Sequence, residues 1–244
     1  MERLVRIFAF FPLVGLLACT PAATLVATAQ AGSFTINQHG KAVGTASFSF
    51  KATPKGYDST SLVRVAMQGL DYSVSKTEML SSANVLQHVQ LSAIVNGSAV
   101  NVTAAPDSAQ FLINISASGK SSTTRLTEHP GAVFLADFDP GALETLLAMA
   151  VTQNNRDLWA IIPKRAGSIE PVQLATYADE QGTLDGKPIP VHHLIATIAG
   201  GTTDLFSGPE NQLLQAELPQ QGFALVRKGF VLKPPAKPMA PPGE

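Results

Sequence analysis

Apolar and polar residues alternate along most of the chain, and this period of two is the feature that most limits the folds open to it. Phe48 and Phe50, for example, alternate with Ser47 and Ser49. Successive side chains of a strand point to opposite faces, so this pattern predicts strands with one buried face. An Asn96-Gly97 pair between two apolar runs is the strongest short hairpin signal. The sequence therefore predicts a mainly β fold built on one large, curved antiparallel sheet.

One stretch after the N-terminal segment has a helical period instead. It covers residues 139–155, where Asp139 suits the N-cap position and Pro140 the first helical position. Its apolar residues recur at i, i+3, i+4, i+7 and i+8, which is one stripe of a helix. The stripe consists of Leu143, Leu146, Leu147, Ala150 and Val151. We expect this single helix to pack on the concave side of the sheet.

The composition limits the classes of partner. Hydrophobic residues make up 45% of the 244 residues and charged residues 14%, and the net charge is −1. Charged residues usually account for about 25% of a soluble domain. Nucleic-acid binders carry a basic stripe, whereas lysines and arginines are scattered here. The sequence therefore predicts no nucleic-acid partner and a chain with extensive apolar surface to cover.

Residues 1–31 are typical of an export signal. Arg3 and Arg6 precede an apolar run that is too short for a membrane span of about 20 residues. Two processing sites fit. Ala29-Gln30-Ala31 is a small-x-small cleavage site, and Leu16-Leu17-Ala18-Cys19 resembles a bacterial lipobox, in which Cys19 would be lipidated. Both alternatives predict an exported protein, either periplasmic or anchored to the outer membrane.

The remainder of the chain is predicted to form one domain. Residues 32–232 contain the alternating strands without an interdomain linker, and residues 233–244 form a proline-rich tail that cannot pack. Cys19 is the only cysteine, so the domain is predicted to lack a disulfide. Membrane contact is expected only through a lipid anchor on Cys19.

No motif of a catalytic, metal or cofactor site stands out. His192 and His193 are adjacent on a predicted strand and point to opposite faces, so they cannot together hold one metal ion in the usual way. Asp204 precedes turn residues, which favours a bend or capping role. No Gly-x-Ser-x-Gly elbow occurs in the sequence. We therefore expect no enzyme, no metal and no cofactor.

The C-terminal part resembles a known group of proteins. Within residues 191–230, a strand leads through a Gly-Gly bend to Asp204-Leu205-Phe206, a Gly208-Pro209-Glu210-Asn211 turn and a leucine-rich strand at 213–219. This arrangement is similar to the closing hairpins of bacterial envelope proteins of unknown function with a lipoprotein-carrier (Lol-type) half-barrel. The opening hairpin at residues 32–45 fits the same pattern. The resemblance implies a half-barrel sheet with helices at its mouth, and it implies no catalytic residue.

These observations predict a non-enzymatic envelope protein that binds an apolar or lipid-like ligand between sheet and helix. One alternative is that the helix and sheet simply pack as a core. A second is a structural or assembly protein that meets another envelope protein through a sheet edge or the tail. A hydrolase with a dispersed site is a third. The predicted wall of the ligand site consists of Leu143, Leu146, Leu147, Val151 and Trp159.

Overall fold

The computed structural model describes residues 30–152, 156–164 and 167–234. Within them the chain forms seventeen strands and one α-helix, which continues into a π-helical turn. Most of the predicted leader, including Cys19, lies outside the described residues, and only residues 30 and 31 of the leader are described. Of the predicted tail, only residues 233 and 234 are described. The bounds are β1 (Ala31–Gln38), β2 (Lys41–Thr53), β3 (Gly56–Met67), β4 (Leu70–Ser81), β5 (Leu86–Val95), β6 (Ser98–Asp107), β7 (Gln110–Ala117), β8 (Lys120–Thr127), β9 (Ala132–Phe134), α1 (Pro140–Leu147) with its π-helical turn (Ala148–Thr152), β10 (Leu158–Ile162), β11 (Ser168–Thr176), β12 (Glu180–Leu184), β13 (Lys187–Ile198), β14 (Gly201–Ser207), β15 (Leu213–Leu218), β16 (Phe223–Arg227) and β17 (Phe230–Leu232).

The strands form one large sheet that does not close on itself. From β1 to β8 each strand is antiparallel to the next, which is a simple meander. The other side of β1 pairs with β16, and the sheet continues through β15, β14, β13 and β11 to β10. Only β9, parallel to β10, breaks the antiparallel order among the described strands. The prediction of a mainly β fold with a large curved sheet and one helix is confirmed.

Tight turns join the meander strands. At the β5–β6 hairpin, Asn96 and Gly97 have φ values of 48° and 80°. A two-residue type I′ turn needs positive φ at both central positions, which asparagine and glycine tolerate. The register runs from Val95 opposite Ser98 to Val89 opposite Ala104. The hairpin predicted from this residue pair is therefore confirmed.

The main core lies on the inner face of the sheet. Alternate residues of the meander point inward, as Val63 and Val65 of β3 do, and they are buried. Leu205 and Leu213 extend this core across the C-terminal strands. Their neighbours in sequence face the other way and form a second, smaller core with β12 and β17. The second core contains Val191, Phe206, Leu214 and Phe230.

Helix α1 lies inside the curve of the sheet. It packs against β2, β3, β9 and β15, and all eight of its residues are buried. Asp139 is its N-cap, because Asp139 Oδ1 accepts hydrogen bonds from the backbone N–H groups of Gly141 at 3.0 Å and Ala142 at 3.2 Å. The predicted cap is thus confirmed. The α-helix ends at Leu147 rather than continuing regularly toward Asn155, and residues 153–155 lie outside the described part.

Among the described residues, no helix has the length and apolar character needed to cross a membrane.

Candidate ligand-binding cleft and the charges beside it

The helical residues that were predicted to line a ligand site lie in different surroundings. Leu143, Leu146 and Leu147 are buried in the main core against the sheet. Val151, in the π-helical turn, is 44% exposed. The leucines therefore share one buried environment, and Val151 is not part of it.

Trp159 lies in β10, at the edge of the main core. Its ring stacks on His129, with 3.7 Å between ring centroids. Its indole N–H donates a hydrogen bond to Asp157 Oδ1 at 2.8 Å. The ring is thus partly buried, whereas the three leucines are buried in the same core.

A cleft of about 330 Å³ opens beside the N-terminal end of the helix. Its floor is the inner face of β4, β5 and β6, where Leu91, Ala93 and Val102 are buried. Residues 135–138, which connect β9 to the helix cap, cross over this floor and are called the strap here. Residues 162–164 complete the wall. The surface of the cleft is mostly apolar.

None of the five predicted wall residues lines this cleft. The role proposed for them from sequence stays a prediction. The residues that do line it were missed, because alternation in β4–β6 shows which side chains face inward but not whether another element covers them. Apart from this alternation, we find no pattern in the sequence that indicates the cleft.

Polar groups collect at the mouth of the cleft. Lys164 Nζ and Asp137 Oδ1 form an ion pair of 2.8 Å, with side chains 64% and 41% exposed. Tyr72 also lines the cleft, and its hydroxyl has no hydrogen-bond partner among the residues described. Burial raises the pKa of Tyr72, and the charges of Asp137 and Asp139 raise it further. The Tyr72 hydroxyl therefore stays protonated and uncharged at neutral pH.

A buried cluster of charges lies between the sheet and the helix cap. Lys76 of β4 is fully buried and forms ion pairs with Glu78, at 2.8 Å, and with Asp139. Its ammonium group also donates a hydrogen bond to the carbonyl oxygen of Phe134 at 3.3 Å. Burial alone would lower the pKa of Lys76, but the carboxylates of Asp139 and Glu78 outweigh it and raise the pKa. Burial raises the pKa of Glu78.

This cluster determines where the strap lies. Phe134 immediately precedes the strap and Asp139 immediately follows it, so Lys76 holds both ends. The sequence carries a weak sign of this role. Lys76 and Glu78 occupy inward-facing positions between the buried Val74 and Leu80, where apolar residues are expected. No role was predicted for Lys76 or Glu78 from these positions.

The strap ends in an unusual backbone conformation. Phe138 has φ of 56°, a left-handed value that is rare for a bulky residue. Its ring makes edge-to-face contacts with Phe223, at 4.9 Å between centroids, and with Tyr72, at 6.4 Å. Strained residues persist only where their surroundings hold them in place. The two aromatic contacts and the Lys76 cluster supply that restraint.

Glu144 is a second buried acid on the helix. Its Oε2 accepts a hydrogen bond of 2.6 Å from the backbone N–H of Leu213 in β15, whereas Oε1 has no partner among the described residues. Burial raises the pKa of Glu144 to about 7, although the Leu213 hydrogen bond and the charge of Arg227 act in the opposite direction. Glu144 therefore links helix and sheet while it remains partly protonated near neutral pH.

The two adjacent histidines have separate partners. His192 Nδ1 lies 3.0 Å from Asp179 Oδ1, and His193 Nε2 lies 2.8 Å from Asp204 Oδ1. His193 Nδ1 also lies 3.3 Å from Glu180 Oε1. No group of three or more potential metal ligands is found among the described residues.

The bend or capping role predicted for Asp204 is wrong. Asp204 lies within β14 and contacts His193 across the β13–β14 ladder. The residue that pairs with it in the ladder is Ile195, so the aspartate and histidine are diagonal neighbours on one face. The turn that follows Asp204 begins only at Gly208, after the end of β14, where the N–H of Asn211 donates a hydrogen bond of 2.9 Å to the carbonyl oxygen of Gly208.

Comparison of this chain with protein-family models, with curated proteins and with solved structures finds no match, so the resemblance to Lol-type half-barrels stays a prediction.

Proposed function

We propose that this protein is a non-enzymatic, exported binding protein that holds the apolar chain of a small ligand in the cleft. The cleft beneath the strap is the observation that carries the proposal. Its volume of about 330 Å³ lies near the lower end of the roughly 300–1,000 Å³ range of small-molecule pockets. Pockets of that class are apolar with a few polar groups, and this cleft has the same composition.

The size of the cleft suits one chain of moderate length. A water-sized group occupies about 30 Å³, so the cleft has room for about ten such groups. Each methylene group removed from water contributes about 0.8 kcal/mol to binding. The buried floor at Leu91, Ala93 and Val102 offers a dry surface for those methylenes. A single hydrocarbon chain of about ten carbons therefore fits both the volume and the chemistry of the lining.

The leader supports an exported location as part of this proposal. Residues 1–31 carry the pattern of an export signal, and lipidation of Cys19 would supply the membrane contact. An envelope location would bring the cleft close to amphiphilic molecules. We include both the location and the absence of catalysis in the proposal.

The test is a series of straight-chain ligands. Binding of 1-alkanols and n-alkanoates of six to twelve carbons is measured by isothermal titration calorimetry. In at least one series the affinity should rise about fourfold per methylene and level off near ten carbons. An affinity that does not depend on chain length in either series would overturn the proposal.

Two adjacent residues of β5 provide a blocking variant and its matched control. Ala93→Phe places a ring in the floor of the cleft and should reduce binding at least tenfold. Ile94→Phe adds a ring on the outer face, where Ile94 is 50% exposed, and should bind like the wild type. Val95→Phe, at the partly exposed rim, is a second blocking variant in case the floor does not accept a ring. Wild-type binding by both blocking variants would place the ligand elsewhere.

A further inference from the structure

We propose that the cleft selects a single-chain amphiphile with an uncharged head group, such as a hydroxyl or an ester, over a carboxylate with the same chain. This inference rests on the proposed function and adds the class of ligand. Its basis is the arrangement of charge around the mouth of the cleft.

The depth of the lining residues orients such a ligand. Leu91, Ala93 and Val102 are buried and apolar, so the hydrocarbon chain belongs at the floor. Asp137 and Lys164 are the charged residues of the lining, and both are substantially exposed. The head group is therefore expected at the mouth, beside these two side chains.

The mouth and the buried cluster contain more acids than bases. Three carboxyl groups, those of Glu78, Asp137 and Asp139, face two ammonium groups, those of Lys76 and Lys164. Lys76 is enclosed and fully engaged with its own partners. Lys164 is the cation at the mouth, and its ammonium group is already paired with the Asp137 carboxylate. A ligand carboxylate would thus meet a paired lysine and an unfavourable neighbouring charge.

The surroundings of Tyr72 show that the electrostatic potential in this part of the cleft is unfavourable to negative charge. The charges of Asp137 and Asp139 both disfavour a negative charge on its hydroxyl, since both raise the pKa of Tyr72. A carboxylate placed beside the tyrosine would be opposed by the same charges. An uncharged head group would not be opposed, and it could exchange hydrogen bonds with the Tyr72 hydroxyl, which has no partner in the described part of the chain.

The experiment compares 1-decanol with decanoate at pH 8, where a carboxylate is ionised. Wild-type protein should bind 1-decanol at least about tenfold more tightly, the order expected for one unfavourable charge contact near a surface. Asp137→Asn removes the repelling acid and frees Lys164. It should tighten decanoate binding about tenfold relative to 1-decanol binding. Lys164→Gln should weaken decanoate binding further relative to 1-decanol binding.

A matched control uses an acid away from the cleft. Asp58 is exposed in β3 and does not line the cleft, so Asp58→Asn should leave both affinities unchanged. Decanoate binding as tightly as 1-decanol to the wild type would overturn the inference while leaving the proposed function standing. Unchanged decanoate affinity in Asp137→Asn would overturn the role of charge. Failure of both ligands to bind would overturn the proposed function itself, and the inference with it.

Discussion

Lys76 connects three parts of the interior through one side chain. It joins β4 to the helix cap at Asp139 and to the carbonyl of Phe134, although it is completely buried. Buried ion pairs need not stabilise a fold more than apolar residues would, but the loss of one partner leaves an unpaired charge in the interior. Both residues that flank the strap, Phe134 and Asp139, therefore depend on the same ammonium group.

Replacement of that ammonium group should be strongly destabilising. Lys76→Met leaves the carboxyl groups of Glu78 and Asp139 buried without a cation, which should cost about 3–5 kcal/mol of the free energy of unfolding. Urea denaturation gives the value. The exposed Lys51→Met is the control and should cost less than about 0.5 kcal/mol. The triple variant with Glu78→Gln and Asp139→Asn should recover much of the loss, because asparagine still caps a helix. If Lys76→Met lowered the free energy of unfolding no more than Lys51→Met does, the Lys76 cluster would not have the importance that we assign to it.

Glu144 should make stability depend on pH near neutrality. Its pKa in the folded state is about 7, against an ordinary value of 4.5, so the folded state holds the proton more tightly. Between these two values the folded state binds more protons than the unfolded state, and stability must fall as pH rises. Above about pH 7 the loss is complete, and the difference in pKa corresponds to roughly 3 kcal/mol.

The comparison with Glu144→Gln isolates this effect from other acids. Urea midpoints are measured from pH 4.5 to 8 for both proteins. The wild type should lose stability across this interval relative to Glu144→Gln, whose amide cannot ionise. The exposed Glu210→Gln should retain the wild-type profile. Parallel profiles for the wild type and Glu144→Gln would show that Glu144 does not titrate differently in the folded state.

At the level of elements, β1 bears on the processing of the leader. Ala31 pairs with Ser49, and its carbonyl accepts a hydrogen bond from Arg227 Nη1 at 3.4 Å. The carbonyl of Gln30 accepts a further bond from the backbone N–H of Phe50 at 2.8 Å. A chain that began at residue 32 would lack these contacts, whereas one that began at Cys19 would keep them.

We therefore expect the mature protein to begin at an acylated Cys19. Intact-mass spectrometry of protein purified from the membranes of its host measures the start of the chain and any attached acyl groups. Cys19→Ala should abolish the acyl mass and release the protein from the membrane fraction. A mature mass that begins at residue 32 would contradict the expectation and show that the ends of the β1 ladder are dispensable.

The strap shows how one short element can preform a site. Lys76 holds its two ends, and the aromatic contacts of Phe138 fix its last residue. The floor belongs to a separate part of the chain, three strands of the meander. These contacts favour a cleft that is formed before the ligand arrives, and a preformed site lowers the cost of ordering on binding.

For the whole molecule, the sequence was sufficient to predict the class of fold. Alternation and turn residues act over a few positions, so the strands, the Asn96-Gly97 hairpin and the Asp139 cap could be recognised locally. The pairing of β1 with β16 could not, because it joins distant parts of the chain. The cleft was unpredictable for the same reason: its floor and strap are separated in sequence, and only the folded chain brings them together.

The helix illustrates a further limit of sequence patterns. Its stripe of leucines correctly indicates burial, yet burial alone does not distinguish a ligand wall from a core. Lys76 and Glu78 illustrate the opposite case, since their place on the inner face became meaningful only once Asp139 lay beside them. Ion pairs and sites whose residues come from distant segments therefore cannot be predicted from a single sequence.

The position of β1 has a consequence for folding order. The strands β1 to β8 can form one hairpin after another, through contacts that are local in the chain, and such contacts form quickly. The second edge of β1 is filled only when β16 arrives, since Phe34 pairs with Arg227. Until then the N-terminal meander exposes an unpaired strand edge, which is a template for association between chains. Docking of the C-terminal strands onto β1 ends this exposure.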